Sequence, residues 1–186
     1  RPGSIEVGAV GQPFPGASVK VAEDGELLLA GGQIFVGYWN NPTATAEVLE
    51  PDGWFHSGDL AYADEDGYIY IVDRIKDVVN TGGVLVASRD VEEALYLHPA
   101  VAEVAVIGTP HPRWIEAITA VIVLKDGETV DSEQLQAHCQ QHLAAFKIPK
   151  SFVFTPALPK NTAGKLLKRN LRERYNDISL SELDAL

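Results

Sequence analysis

Apolar runs and the polar clusters between them divide the chain into a strand-rich first part and a second part where strands and helices mix. Ala17–Val21 and Glu26–Leu29 flank Glu23-Asp24-Gly25, while Leu60–Ala63 and Tyr68–Val72 flank Asp64-Glu65-Asp66-Gly67. Both arrangements predict β-hairpins, because Asp and Gly supply the turn conformations that short strand connections need. Between them, Pro42–Leu49 predicts a short helix with Thr43 as its cap. From residue 74 the rhythm changes. Behind Ser88, apolar positions recur at helical spacing through Asp90–Tyr96, with acidic residues in the first turn where the helix dipole favours them. Val101–Ile107 and Ile115–Leu124 are β-rich runs long enough to be central strands. Asp131 and Gln134 form a capping box for a helix running to Ala145. Phe152–Phe154 predicts a short strand and Leu166–Tyr175 a basic terminal helix. The expected class is mixed α/β: a β-rich part over residues 1–73, joined at Asp73 without a flexible linker to an α+β part over 74–186.

Composition narrows the function classes. The single cysteine, Cys139, excludes an internal disulfide and fits a reducing, cytoplasmic setting. No run approaches the roughly 20 apolar residues of a membrane span. The net charge is −11, yet residues 147–175 hold eight Lys and Arg side chains against one Glu. The acidic body argues against a nucleic-acid binder, and the basic segment is where a polyphosphate would be drawn. A solvated basic helix would carry the same charges.

Three short segments carry the chemistry. Gly53-Trp54-Phe55-His56-Ser57-Gly58-Asp59 ends in a carboxylate on a glycine-bearing loop, a group able to accept hydrogen bonds from two vicinal hydroxyls. Asp73-Arg74-Ile75-Lys76-Asp77, followed by Gly82-Gly83, sets charges directly after an apolar strand, where they cost free energy unless paired or solvated. Pro159-Lys160-Asn161-Thr162-Ala163-Gly164-Lys165 puts a lysine just before the expected terminal helix, where a bound anion would relieve its clash with the dipole. The full Walker pattern is missing.

In this order and spacing, and with Gly37-Tyr38-Trp39-Asn40-Asn41-Pro42 as a fourth match, these segments resemble the adenylate-forming superfamily of acyl-CoA synthetases, peptide-synthetase adenylation domains and luciferase-like ligases. The resemblance runs nearly end to end and is nearest to fatty-acyl or medium-chain CoA ligases. It implies the last strand-rich subdomain of a large N-terminal domain, a distorted barrel, followed by a mobile C-terminal lid. It also implies two half-reactions: a carboxylic acid attacks ATP to give acyl-AMP, and the thiol of CoA then displaces AMP, with Mg2+ accompanying the nucleotide. By the same resemblance Lys165 is catalytic, Asp59 and Arg74 bind the nucleotide, Lys76 is the hinge, and Gly82 and Gly83 border the pantetheine path. Ser57 is either a nucleotide contact or a turn residue. Asn80 stands where some relatives have lysine and receives no catalytic role; Ile115 replaces a frequent glycine.

The plainer alternatives are a turn-capping Asp59, an Arg74 paired with Asp73 or Asp77, an ordinary exposed Lys165, and a simple turn at Gly82-Gly83. His138 and His142, four apart beside Cys139, have helical metal-site spacing but lack further ligands, so no metal site is expected. The chain opens Arg-Pro-Gly-Ser and contains no methionine. It is expected to be a fragment whose partner is the missing N-terminal portion of the same enzyme, with the acyl pocket and phosphate loop upstream. Homo-oligomer formation stays open. Two rivals stand beside the CoA ligase: an adenylation domain or acyl-AMP ligase that loads a carrier protein, and a non-catalytic lid that serves as an interaction module.

Overall fold

The computed structural model describes residues 6–176. Two compact units result, Arg1–Lys76 and Asp77–Leu186.

In the first unit, β1 (Ala17–Val21), β2 (Glu26–Gly31), β3 (Phe55–Ala63) and β4 (Ile69–Arg74) form an antiparallel sheet in that order. Both expected hairpins are present. The second is fixed by Asp64, whose Oδ1 accepts the amides of Asp66 and Tyr68 across the turn. A small apolar cluster of Leu27, Ala61 and Ile69, backed by Val19, Val21, Leu29 and Ile71, packs one sheet face. Helix α1 (Pro42–Ala46) is capped by Asn41, whose side chain accepts from the Ala44 amide, and not by Thr43. Pro42 explains the shift: proline is favoured at the first helical position, which puts the cap one residue before it.

The second unit has a five-stranded sheet of β5 (Val79–Thr81), β6 (Val84–Val86), β7 (Val101–His111), β8 (Ile115–Leu124) and β9 (Ser151–Phe154). β8 is central, antiparallel to β7 along its whole length and parallel to β9 over Thr119–Ile122. Alternation along the strands explains the layering. Val104, Val106, Ile118, Ala120 and Ile122 point to one face, which α2 (Ser88–Tyr96) and α3 (Ser132–His142) cover through Val91, Leu95, Leu135 and Cys139. Ala105, Ile107 and Val121 point to the other face, where α4 (Lys168–Tyr175) adds Leu171.

The Asp131–Gln134 capping box forms with both hydrogen bonds present. Its helix stops at His142, and Ala145–Lys147 is a separate 3-10 turn. α4 starts at Lys168 instead of Leu166, because Leu166 is held in a β-bridge with Lys160. The β5–β6 hairpin is an element the apolar pattern did not reveal. Its turn is Gly82-Gly83, with φ of +65° and +87°. A two-residue turn with both φ positive matches the right-handed twist of paired strands, and glycine adopts it without a Cβ penalty.

Candidate functional site

Asp59 and Arg74 are cross-strand partners in β3 and β4. The guanidinium Nε lies 3.4 Å from Asp59 Oδ1, with both side chains partly exposed. The ion pair of Arg74 is therefore with Asp59. Asp73 accepts the Arg74 backbone amide, and Asp77 is bound by Arg172 at 2.6 Å. Ser57 Oγ accepts the Asp59 amide at 3.1 Å, which gives it a turn role. Glu26, Tyr38, His56, Ser57, Arg74 and Lys76 line one groove of the first unit. Lys76 is exposed on the short 3-10 turn Ile75–Asp77, where the two units divide.

Beneath this groove lies a polar network that sequence reading missed. His56 bridges two carboxylates there: its Nδ1 is 2.7 Å from Glu26 Oε2 and its Nε2 3.1 Å from Glu50 Oε1. The hydrogen bond to Glu26, helped by Glu50, raises the imidazole above its ordinary pKa against the opposing effect of burial. Glu26 is 9% exposed and its Oε1 accepts the Gly58 amide at 2.9 Å. The two contacts of Glu26 leave no local signal, since their partners are 30 and 32 residues away.

In the second unit, Lys165 sits on a turn and not at a helix N-terminus, so the dipole argument does not apply to it. The turn is pinned by Asn161, whose Oδ1 accepts the amides of Ala163 and Lys165 and whose own amide donates to the Lys165 carbonyl. Most of the surrounding basic charge is neutralised. Lys147 pairs with Asp90, Lys160 with Glu103, Lys168 with Glu92, Arg169 with Glu173 and Arg172 with Asp77. Lys150 and Arg174 lie over the rings of Trp114 and Tyr175. Among the described residues, the exposed ammonium of Lys165 is the basic head group of this segment left without such a partner.

The hairpin accounts for Gly82 and Gly83 on its own. A Cβ on Gly82 would meet Trp114 at 3.2 Å, and one on Gly83 would meet nothing within 4 Å. Asn80 serves the same turn, accepting the Gly83 amide and donating its own to Glu116. Ile115 has φ +67°, and the Glu116 amide closes back on the Trp114 carbonyl at 2.7 Å. This is a γ-turn of the rare positive-φ kind, costly for a β-branched residue.

The rings of His138 and His142 lie tilted against each other with centroids 4.5 Å apart, and His98 packs edge-on to His138. Among the described residues no group of three His, Cys, Asp or Glu side chains could hold a metal ion. Cys139 is fully buried, and burial pushes its thiol up to about 11, so it is a packing residue. No helix among the described residues is long and apolar enough to cross a membrane.

Comparison with known proteins converges on one family. The model of the AMP-binding enzyme C-terminal domain matches residues 90–165. A feruloyl-CoA synthase of Amycolatopsis sp. is 46% identical over 168 residues, covering 90% of this chain and 33% of the relative. A long-chain-fatty-acid–CoA ligase of Bacillus subtilis is 41% identical, covering 94% and 33%. Among solved structures, ATP-bound MatB from Rhodopseudomonas palustris superposes with a TM-score of 0.86 at 40% identity, over 95% of this chain and 37% of that one. The chain thus spans about a third of the length of the curated relatives it matches. With its two-unit architecture and the motifs on β3, on β4 and in the Lys165 turn, the chain belongs to the adenylate-forming superfamily, in the portion that includes the AMP-binding enzyme C-terminal domain.

Proposed function

We propose that this chain supplies the C-terminal part of an AMP-forming acid–thiol ligase, an acyl-CoA synthetase. In the first half-reaction a carboxylate oxygen of the acid forms a bond to the α-phosphorus of ATP and pyrophosphate leaves. In the second, the CoA sulfur attacks the acyl carbon and AMP leaves. Both nucleophiles belong to substrates, so the protein's work is positioning and charge stabilisation.

Asp59 accepts hydrogen bonds from the ribose hydroxyls, and Arg74, held beside it across the strand pair, adds a second contact to the nucleotide. Lys165 offsets negative charge as the anhydride forms, reaching the nucleotide by rotation about Lys76. Gly82 and Gly83 border the path of the pantetheine arm. Magnesium would arrive on the ATP phosphates, since the described residues hold no ligand cluster for it. The relatives are named for acids as different as ferulate and long-chain fatty acids, so this portion does not fix the acid.

The observation that carries the reading is the solitary ammonium of Lys165 on a turn pinned by Asn161. In a ligase bearing this segment, Lys165→Ala is expected to slow adenylation about a hundredfold, the scale of losing one charge-stabilising donor. Thioester formation from supplied acyl-adenylate should be spared. Equal loss of both half-reactions would reject the role given to Lys165. Gly83→Asn retains a residue that tolerates positive φ. It should therefore leave the hairpin intact while impairing CoA transfer more than pyrophosphate exchange. Running the second half-reaction with a phosphopantetheinylated carrier protein in place of CoA separates the carrier-loading alternative.

A further inference from the structure

The bulge that presents Asp59 is held by side chains the nucleotide reading does not use. Between the pairs Leu28–His56 and Glu26–Leu60, β2 has one residue where β3 has Ser57, Gly58 and Asp59. Those extra residues leave the ladder, and Gly58 takes φ +74°. The Glu26 carboxylate reaches across the bulge to accept the Gly58 amide, doing the work of a missing strand carbonyl. Its other oxygen faces His56 Nδ1, and His56 Nε2 faces Glu50.

We propose that Glu26 and His56 are positioning residues that lock the Ser57-Gly58-Asp59 bulge, and so set how well Asp59 and Arg74 grip a nucleotide. The inference rests on the nucleotide-binding reading of that pair. Ionised carboxylates only accept, so both ring nitrogens of His56 must donate for the chain Glu50–His56–Glu26 to be complete. The imidazolium is therefore the locked form, in line with the raised pKa of His56. The groups around it are Glu26 from β2, Glu50 from the segment after α1, and Glu47, Arg74 and Lys76 along the same groove. As pH rises through the titration of His56, one of its two bonds loses its proton and Glu26 is less firmly held against Gly58.

The test is ATP KM and kcat against pH in a ligase carrying this segment, with Glu26→Ala, Glu26→Gln, His56→Gln and Asp59→Ala. Glu26→Ala should raise ATP KM about tenfold, as for a part-buried amide left without its acceptor, with the KM for the acid unchanged. Glu26→Gln keeps an oxygen for Gly58 and should restore ATP KM to within about twofold. It should also flatten the rise in ATP KM expected of the wild type at alkaline pH, as should His56→Gln. In this chain, the Gly58 amide resonance should titrate in step with the His56 ring. An ATP KM unmoved by Glu26→Ala where Asp59→Ala raises it, a pH dependence that survives His56→Gln, or a Gly58 resonance indifferent to His56 would each overturn the lock alone. An ATP KM unmoved by Asp59→Ala would overturn the nucleotide reading and the lock together.

Discussion

In the first unit, Glu26, His56 and Glu50 form a chain of paired groups and Asp59 faces Arg74, so the side chains that hold and present the bulge are paired with one another. In the second unit a segment even richer in charge is paired nearly throughout, yet among the described residues the ammonium on its turn, Lys165, has no such partner. The contrast separates two ways of using charge. A satisfied network fixes a shape and suits a binding contact, because its groups are already oriented when a ligand arrives. An exposed charge on a pinned turn costs little while idle and is available for charge that develops elsewhere, which suits transition-state stabilisation. The same chemistry in different settings thus gives a pre-paired network in the first unit and an exposed charge on a pinned turn in the second.

The sharpest way to break this comparison lies within the second unit, where two lysines three residues apart are predicted to behave oppositely. Lys168 is 13% exposed and binds Glu92 at 2.7 Å and Ser88 Oγ at 2.6 Å, which ties α4 to α2. Removing one partner of a buried pair leaves the other charge uncompensated, so Lys168→Ala should cost about 3 kcal/mol of stability. Lys165→Ala, at an exposed and unpartnered site, should stay within about 0.5 kcal/mol. Urea unfolding of the two variants measures both. A large loss for Lys165→Ala would mean that its ammonium is held by the fold, which would contradict the role proposed for it.

That opposition was only half legible in the sequence. Lys165 stands out by its motif, but nothing local tells it from Lys160 or Lys168, whose partners Glu103 and Glu92 lie on other elements. Charge excess along a segment therefore overstated the free positive charge. Hairpins and the Asp131 cap were readable because their signals are confined to four or five residues. The bulge at Gly58 was not, since it exists only through the pairing of β2 with β3. Gly82-Gly83 was readable as special for two reasons, turn or close approach, and its φ angles satisfy the turn without any ligand. The start of α4 was misjudged because Leu166, apolar and in helical register, is taken by the bridge to Lys160.

A smaller effect is expected at Ile115, also in the second unit. There a side chain 60% exposed has little burial to lose, while its φ of +67° stores strain. Strain of this kind costs on the order of 1–3 kcal/mol, and glycine gives back roughly 0.5–1 kcal/mol through the entropy of the unfolded chain. Ile115→Gly should therefore stabilise the chain by about 1 kcal/mol, seen as a rise in Tm. A drop in Tm would show that the γ-turn is not strained, or that Ile115 packs on more than this chain.

The smallest effect tests the comparison between units directly, because their histidines are perturbed in opposite senses. His56 is raised, chiefly by its hydrogen bond to Glu26. Its contribution to stability is complete below the unfolded value of 6.5 and is lost as pH rises through its higher folded pKa. His98 is lowered, chiefly by burial and then by the neighbouring His138, and its Nδ1 accepts the Ala100 amide. Its contribution is present above 6.5 and is lost as pH falls through the lower folded pKa. Urea midpoints followed by methyl resonances of each unit should accordingly move apart on mild acidification, with the β2–β3 region holding firm and the α2–α3 face weakening. His98→Asn should remove the acid sensitivity of the second unit alone, and His56→Gln the alkaline sensitivity of the first. If both units instead weaken together on the acid side, the carboxylates around His56 govern the first unit, and the imidazolium is not what holds its bulge in place.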